Sequence, residues 1–141
     1  MPLNRDAPDV VLLRHNLTVL MRSLRSLQIS LVEVRYAGAR GRCQPCQVNV
    51  TPRGTSTLAT RVVLQRAAAD AGQVPVALMD DEVGLAEGLQ RFVLHWASLE
   101  HGHWQRGDGG HGVMRIDVAS NQATLDHDAI HTEQFHTTLT E

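Results

Sequence analysis

Apolar residues recur at helical spacing near the start of the chain. Val10, Leu13, Leu17, Leu20, Met21, Leu24 and Leu27 share one side of a helix of about five turns, and Arg14, Arg22 and Arg25 fall on the other. Asp6-Ala7-Pro8-Asp9 predicts its beginning: a capping oxygen, a proline in the first turn and an acid at the positive helix end. The polar side is mixed rather than heavily cationic, so the stripe reads as a core face and not a membrane-binding one. The period then changes to two. From Ile29 to Ala37, Ser30, Val32, Val34 and Tyr36 form the inward set of a half-buried strand, with Ile29, Leu31, Glu33 and Arg35 outward.

Gly38 to Arg42 turns the chain, Gln47 to Val50 returns it, and Pro52-Arg53-Gly54 breaks it again. Leu58 to Arg66 suits a third strand, with Thr60, Val62 and Leu64 on one face, or the start of a helix through Ala67-Ala68-Ala69; strand, then a loop with Pro75, is the preferred reading. A second helix is expected to begin around Asp80-Asp81-Glu82, its acids suited to the positive end, with Leu85, Leu89, Phe92, Val93, Trp96 and Leu99 buried and fraying near Gly102. The remainder reads as a meander. Met114, Ile116 and Val118 face inward, Ser120-Asn121 makes the hairpin turn, and Ala123, Leu125 and His127, then Phe135, Thr137 and Leu139, supply two more strand faces. The order helix, strands, helix, β-meander predicts a single α+β domain over 1–141, with two helices on one face of a mostly antiparallel β-sheet.

Composition narrows the class. A chain of 141 residues with 43% apolar and 20% charged content is a globular domain with room for a core, and 4% aromatics mean that aliphatic residues must build it. No aliphatic run exceeds Val10 to Leu13 in length, far short of a membrane span. The opening MPLNRDAPD lacks a basic region followed by an apolar one, and two cysteines three positions apart suit a reducing compartment; the expectation is a cytoplasmic protein. Charge divides unevenly. All 13 basic residues are arginine, and ten of them stand before Ala67 against only Asp6, Asp9 and Glu33, whereas the rest of the chain is strongly acidic. Such asymmetry suits a nucleic-acid face, an acidic docking face, or two halves that neutralise each other on packing.

Four constellations are candidates for chemistry. Gly107-Asp108-Gly109-Gly110-His111-Gly112 matches a dinucleotide-binding pattern, but that site needs a strand before it and a helix after; here the order is reversed, so the stretch reads as a turn. Cys43-Gln44-Pro45-Cys46 is half of a zinc site, and Arg40 and Arg42 would favour thiolates there. Seven of eight histidines lie between His95 and His136; His101, His103 and His111 flank one turn and would join Cys43 and Cys46 as metal ligands if the hairpins packed side by side. Asp126 and Asp128 share a strand face beside His127, yet nothing like a nucleophile elbow holds Ser, His and Asp together, which weighs against an enzyme.

The run from Leu85 through Trp104, then Gly107-Asp108-Gly109, Gly112 and the hairpin Ile116-Asp117-Val118 with Leu125-Asp126-His127, resembles the C-terminal half of the domain-of-unknown-function family numbered 6878. The first helix and Ile29 to Tyr36 are similar to its N-terminal half, and residues 51–80 match least. The resemblance implies an origin on plasmids or other mobile genetic elements and no established chemistry. Where the family has an Asp- and Gly-rich turn after the first strand, this chain has Tyr36-Ala37-Gly38-Ala39-Arg40-Gly41-Arg42, without the oxygen ligands that a hard cation needs.

Three functional readings result. The first is a non-catalytic protein-interaction or regulatory module of a mobile element, used in maintenance or against host defence, docking another protein through Arg35, Arg40, Arg42 and Arg53, since guanidinium groups pair bidentately with acids, or through the acidic C-terminal half. The second is a zinc-binding protein or hydrolase using Cys43, Cys46, His101, His103 and His111. The third is nucleic-acid binding through the Arg-rich half, with affinity falling steeply in salt. Strand edges at Gln47 to Val50 or Phe135 to Leu139 would allow a homodimer.

Overall fold

Helix α1 (Pro8–Ser26) delivers the chain to an antiparallel sheet. The strands are β1 (Leu31–Ala39), β2 (Arg42–Cys43), β3 (Gln47–Thr51), β4 (Arg61–Ala67) and β5 (Leu78–Gly84), then, after helix α2 (Leu85–His101), β6 (Gly110–Asp117), β7 (Gln122–Ala129) and β8 (Gln134–Thr140). This computed structural model describes residues 7–39, 42–52, 58–67, 78–102, 109–129 and 134–140. All strand pairings are antiparallel. One sheet runs β2-β1-β6-β7-β8 with β3 also on β1, and β4 and β5 form a separate hairpin. The architecture is the expected α+β class.

In α1 the predicted stripe is buried from Val10 to Leu24. Its N-cap is Ala7, which has no side-chain acceptor to offer; Pro8 opens the first turn and Asp9 sits at the positive end. The expected capping oxygen of Asp6 lies outside the described residues. At the other end Gln28 adopts φ 60°, so that its N–H bonds Arg25 O and the Ile29 N–H bonds Leu24 O at 2.9 Å. This paired closure satisfies the last helical carbonyls and, because β1 begins only at Leu31, reverses the expected alternation at its start: Ile29 enters the core and Ser30 is exposed.

Asp80, Asp81 and Glu82, expected to open the second helix, lie in β5 instead. Val83 buries opposite Val62, while two of the acids meet basic partners on β4, Arg61 Nε lying 3.7 Å from Glu82 and Arg66 Nε 3.5 Å from Asp81, and Asp80 accepts from the Gln65 amide at 3.4 Å. Cross-strand pairing therefore outweighs the helix-end preference of those acids. α2 starts at Leu85, whose N–H donates to Thr60 O at 2.7 Å. It buries Leu85, Leu89, Phe92, Val93, Trp96 and Ala97. Gly88 presses onto Val62, Leu64 and Val83, where a Cβ would come within 3.2–3.4 Å of their methyls. Among the described residues no helix is long and apolar enough to cross a membrane.

One cluster of buried side chains links both helices, the inner face of the large sheet (Val32, Val34, Met114, Ile116, Ala123, Leu125) and the hairpin (Val62, Leu64, Val83). Asn16 of α1, only 6% exposed, makes a polar seam in it. Its Nδ2 donates to Gln65 O at 2.9 Å, and Gln65 N donates to its Oδ1 at 2.9 Å, so one amide side chain stands in for a neighbouring strand. Asn16→Ala strands both backbone groups of Gln65 and should cost about 1–3 kcal/mol. Urea unfolding measures it; an unchanged midpoint would mean that the amide adds nothing beyond water.

Candidate functional site

The two faces of the large sheet carry different chemistry, and strand alternation decides which residue reaches which. On the inner face, Tyr36, Gly112 and His127 are direct neighbours across β1, β6 and β7. The central position has no side chain, so the flanking rings meet over it. Burial holds the Tyr36 hydroxyl protonated and the His127 imidazole neutral, and the hydroxyl and Nδ1 are hydrogen-bonded at 2.7 Å. Their rings lie 14° from parallel. His101, at the end of α2, stacks on His127 with centroids 4.2 Å apart. A Cβ at Gly112 would overlap the Tyr36 hydroxyl, and one at Gly110 would lie 3.0 Å from His127 Nε2. The glycines expected to form a turn are, at 110 and 112, strand residues cleared for these rings.

The electrostatics follow from burial. His127 is 1% exposed, and desolvation first, then neighbouring His101, pushes its pKa down to about 4, Asp128 opposing. Desolvation also lowers His101. It raises the neighbouring Glu100 carboxyl, against which the Thr137 and Trp96 side chains act. Tyr36 is pushed up by burial and then by the nearby acids, Glu100 foremost.

The outer face has no cover among the described residues. Charges alternate across three strands: Arg35 Nε lies 2.9 Å from Glu33, Glu33 3.2 Å from Arg115 Nε, and Arg115 Nη1 3.5 Å from Asp126, to which the His136 ring on β8 is hydrogen-bonded in turn. His111 Nδ1 stands 3.7 Å from Asp128 beside this ladder. Exposed pairs of this kind contribute little stability, about 0–1 kcal/mol each. Their order across the face is therefore more relevant to recognition than to folding.

The residues expected to act are distributed unevenly over this frame. Arg35 joins the ladder, and Arg42 opens β2, exposed and opposite Ala39; Arg40 and Arg53 lie outside the described residues. Of the expected ligands, Cys43 lies in β2 opposite Gly38, and Cys46 is half-buried against the core near Tyr36. His101 is on the inner side, His111 is on the outer face, and His103 lies outside the described residues. Alternation along β6 thus separates His111 from His101. Among the described residues no three His, Cys, Asp or Glu groups approach closely enough to hold a metal. Sequence reasoning missed the Tyr36–His127 pair, Glu100, and the Glu33–Arg115 link. Glycine at alternate positions of a strand, 110 and 112, was the available signal.

Fold and site together define a small α+β domain with a closed aromatic–imidazole clamp on one side of its sheet and an open, mixed-charge face on the other. The chain belongs to the family of unknown function DUF6878, whose model matches residues 12–139. No curated protein and no solved structure matches it.

A pH dependence follows from the clamp. His127 has a folded pKa of about 4, below the 6.5 of an unperturbed histidine, so between these values the unfolded chain binds the extra proton. Stability is full above pH 6.5 and declines as pH falls towards 4, by up to about 3 kcal/mol from this group. Glu100, raised from 4.5, acts in the opposite sense, favouring the fold at low pH and losing that contribution as pH rises through its folded pKa. Urea titrations from pH 7 to pH 4 should show a net loss that His127→Gln flattens; parallel curves would remove His127 as its source.

Proposed function

We propose that this protein is a non-catalytic protein-interaction or regulatory module of a mobile genetic element, working in the cytoplasm in the element's maintenance or against host defence, and that its partner docks on the outer face of the large sheet. The observation that carries the reading is the ladder Arg35–Glu33–Arg115–Asp126–His136, spread over β1, β6, β7 and β8 on a face without described cover. An alternating pattern of fixed charges suits a protein surface of complementary order, because juxtaposed signs set register and reject wrong partners. A polyanion fits this face poorly, since Glu33, Asp126 and Asp128 interrupt the arginines. The residues best equipped for proton transfer, Tyr36 and His127, bond each other inside the core, which favours a structural over a catalytic role. The mobile-element setting rests on the family resemblance.

Native mass spectrometry of the untagged protein, purified gently from its own host, should show a second polypeptide bound to the metal-free chain. Arg35→Glu reverses a charge whose described ion pair is with the adjacent Glu33, so it should leave the fold intact and weaken that complex by about tenfold or more, as loss of a charge-assisted pair implies. A complex indifferent to Arg35→Glu and Arg115→Glu would move docking off this face. One zinc per chain and no second polypeptide would overturn the reading in favour of a metal protein.

A further inference from the structure

A cavity of about 280 Å³ lies between α1, the β4–β5 hairpin and α2. Leu12, Leu64 and Phe92, all buried, form its apolar lining. Asn16 and His95 add neutral hydrogen-bonding walls. The Asn16 amide is fixed by its two bonds to Gln65, and burial holds the His95 imidazole uncharged while Asp9 pulls weakly the other way. The volume corresponds to roughly nine water-sized groups at about 30 Å³ each, near the lower end for small-molecule sites.

Charge at the rim decides which ligand fits. Arg91 is committed: it bonds Asp81 through Nη1 and Glu87 through Nη2 at 3.0 Å. Arg66 approaches Asp81 through Nε, at 3.5 Å, and among the described residues no hydrogen bond engages its two terminal nitrogens. One guanidinium fork therefore stands at the edge of an apolar cavity, while Asp9 and Asp81 disfavour any ligand bearing more than one negative charge. We propose that this cavity is a binding site for a small monocarboxylic acid with an apolar body, the body on Leu12, Leu64 and Phe92 and the carboxylate on the Arg66 fork. A guanidinium meets a carboxylate through two parallel N–H donors, a geometry that an alcohol cannot reproduce.

The test uses the full chain and three probes, benzoate, phenylacetate and 3-methylbutanoate, with benzyl alcohol, benzylamine and inorganic phosphate as controls. Titration followed by amide and side-chain NMR should show saturable shifts for at least one acid at millimolar concentration, centred on Leu12, Leu64, Phe92 and His95. The controls should bind at least about tenfold more weakly, as should the acid to Arg66→Gln, because the charge-assisted pair is lost. Arg66 is exposed, so that variant should keep the spectrum of the parent away from the cavity. No saturable shift with any of the three acids overturns the proposal. So does equal binding of benzyl alcohol or phosphate, an acid that binds Arg66→Gln as well as the parent, or shifts centred on the outer sheet face.

Discussion

An absent side chain governs the inner face of this protein. Tyr36 and His127 stand on strands that are not neighbours, and they touch because Gly112, between them on β6, fills none of the space above the sheet. Everything polar in that region depends on the gap. The hydroxyl–imidazole bond satisfies two groups that would otherwise be costly to bury, and the flat pair offers His101 a surface on which the end of α2 can rest. The helix is thus tied to the sheet at its C-terminal end by stacked rings and along its length by aliphatic packing. Burial keeps the imidazoles neutral, so the tie is a packing contact rather than an ionic one.

The outer face obeys the opposite logic. Its charges are exposed, paired with alternating sign, and individually weak as stabilisers. A sheet with one face closed and the other solvated is ordinary for antiparallel architectures. What distinguishes this one is that the charged row crosses three strands, so its spacing is fixed by the hydrogen-bond ladder and not by flexible loops. A rigid row of alternating charge encodes a register, whereas a loop bearing the same residues would not.

Much of this was legible in the chain. The helical stripe of α1, the alternation of Val32, Val34 and Tyr36, and the inward set Met114, Ile116, Ala123 and Leu125 follow directly from periodicity, because one face of each element is buried in a single core. The β5 strand was hidden because Asp80-Asp81-Glu82 satisfies the rule for a helix start just as well as it satisfies salt bridges to a strand not yet known to be adjacent. The site was less legible. The face of His127, shared with Ala123 and Leu125, is readable from alternation, but only the pairing register shows that His127 meets Tyr36 and that His111 lies on the other face of the sheet from His101. The arginines near the first hairpin looked like a cluster by sequence; the ladder instead recruits Arg115, 80 positions beyond Arg35, through Glu33.

The β4–β5 hairpin shares no described strand pairing with the large sheet and is held to the body by Asn16, by the Leu85 amide, by the Arg91–Asp81 pair and by apolar contacts with the helices. Such a unit can lift away as a sub-global opening while the main ladder stays closed, since no register in the large sheet depends on it. The cavity sits on this seam, with Leu64, Gln65, Arg66 and Asp81 on the hairpin side and Leu12, Asn16, Phe92 and His95 on the helical side. A ligand in the cavity would touch both sides of this seam at once, and so would hold the hairpin against opening as well as occupy a site.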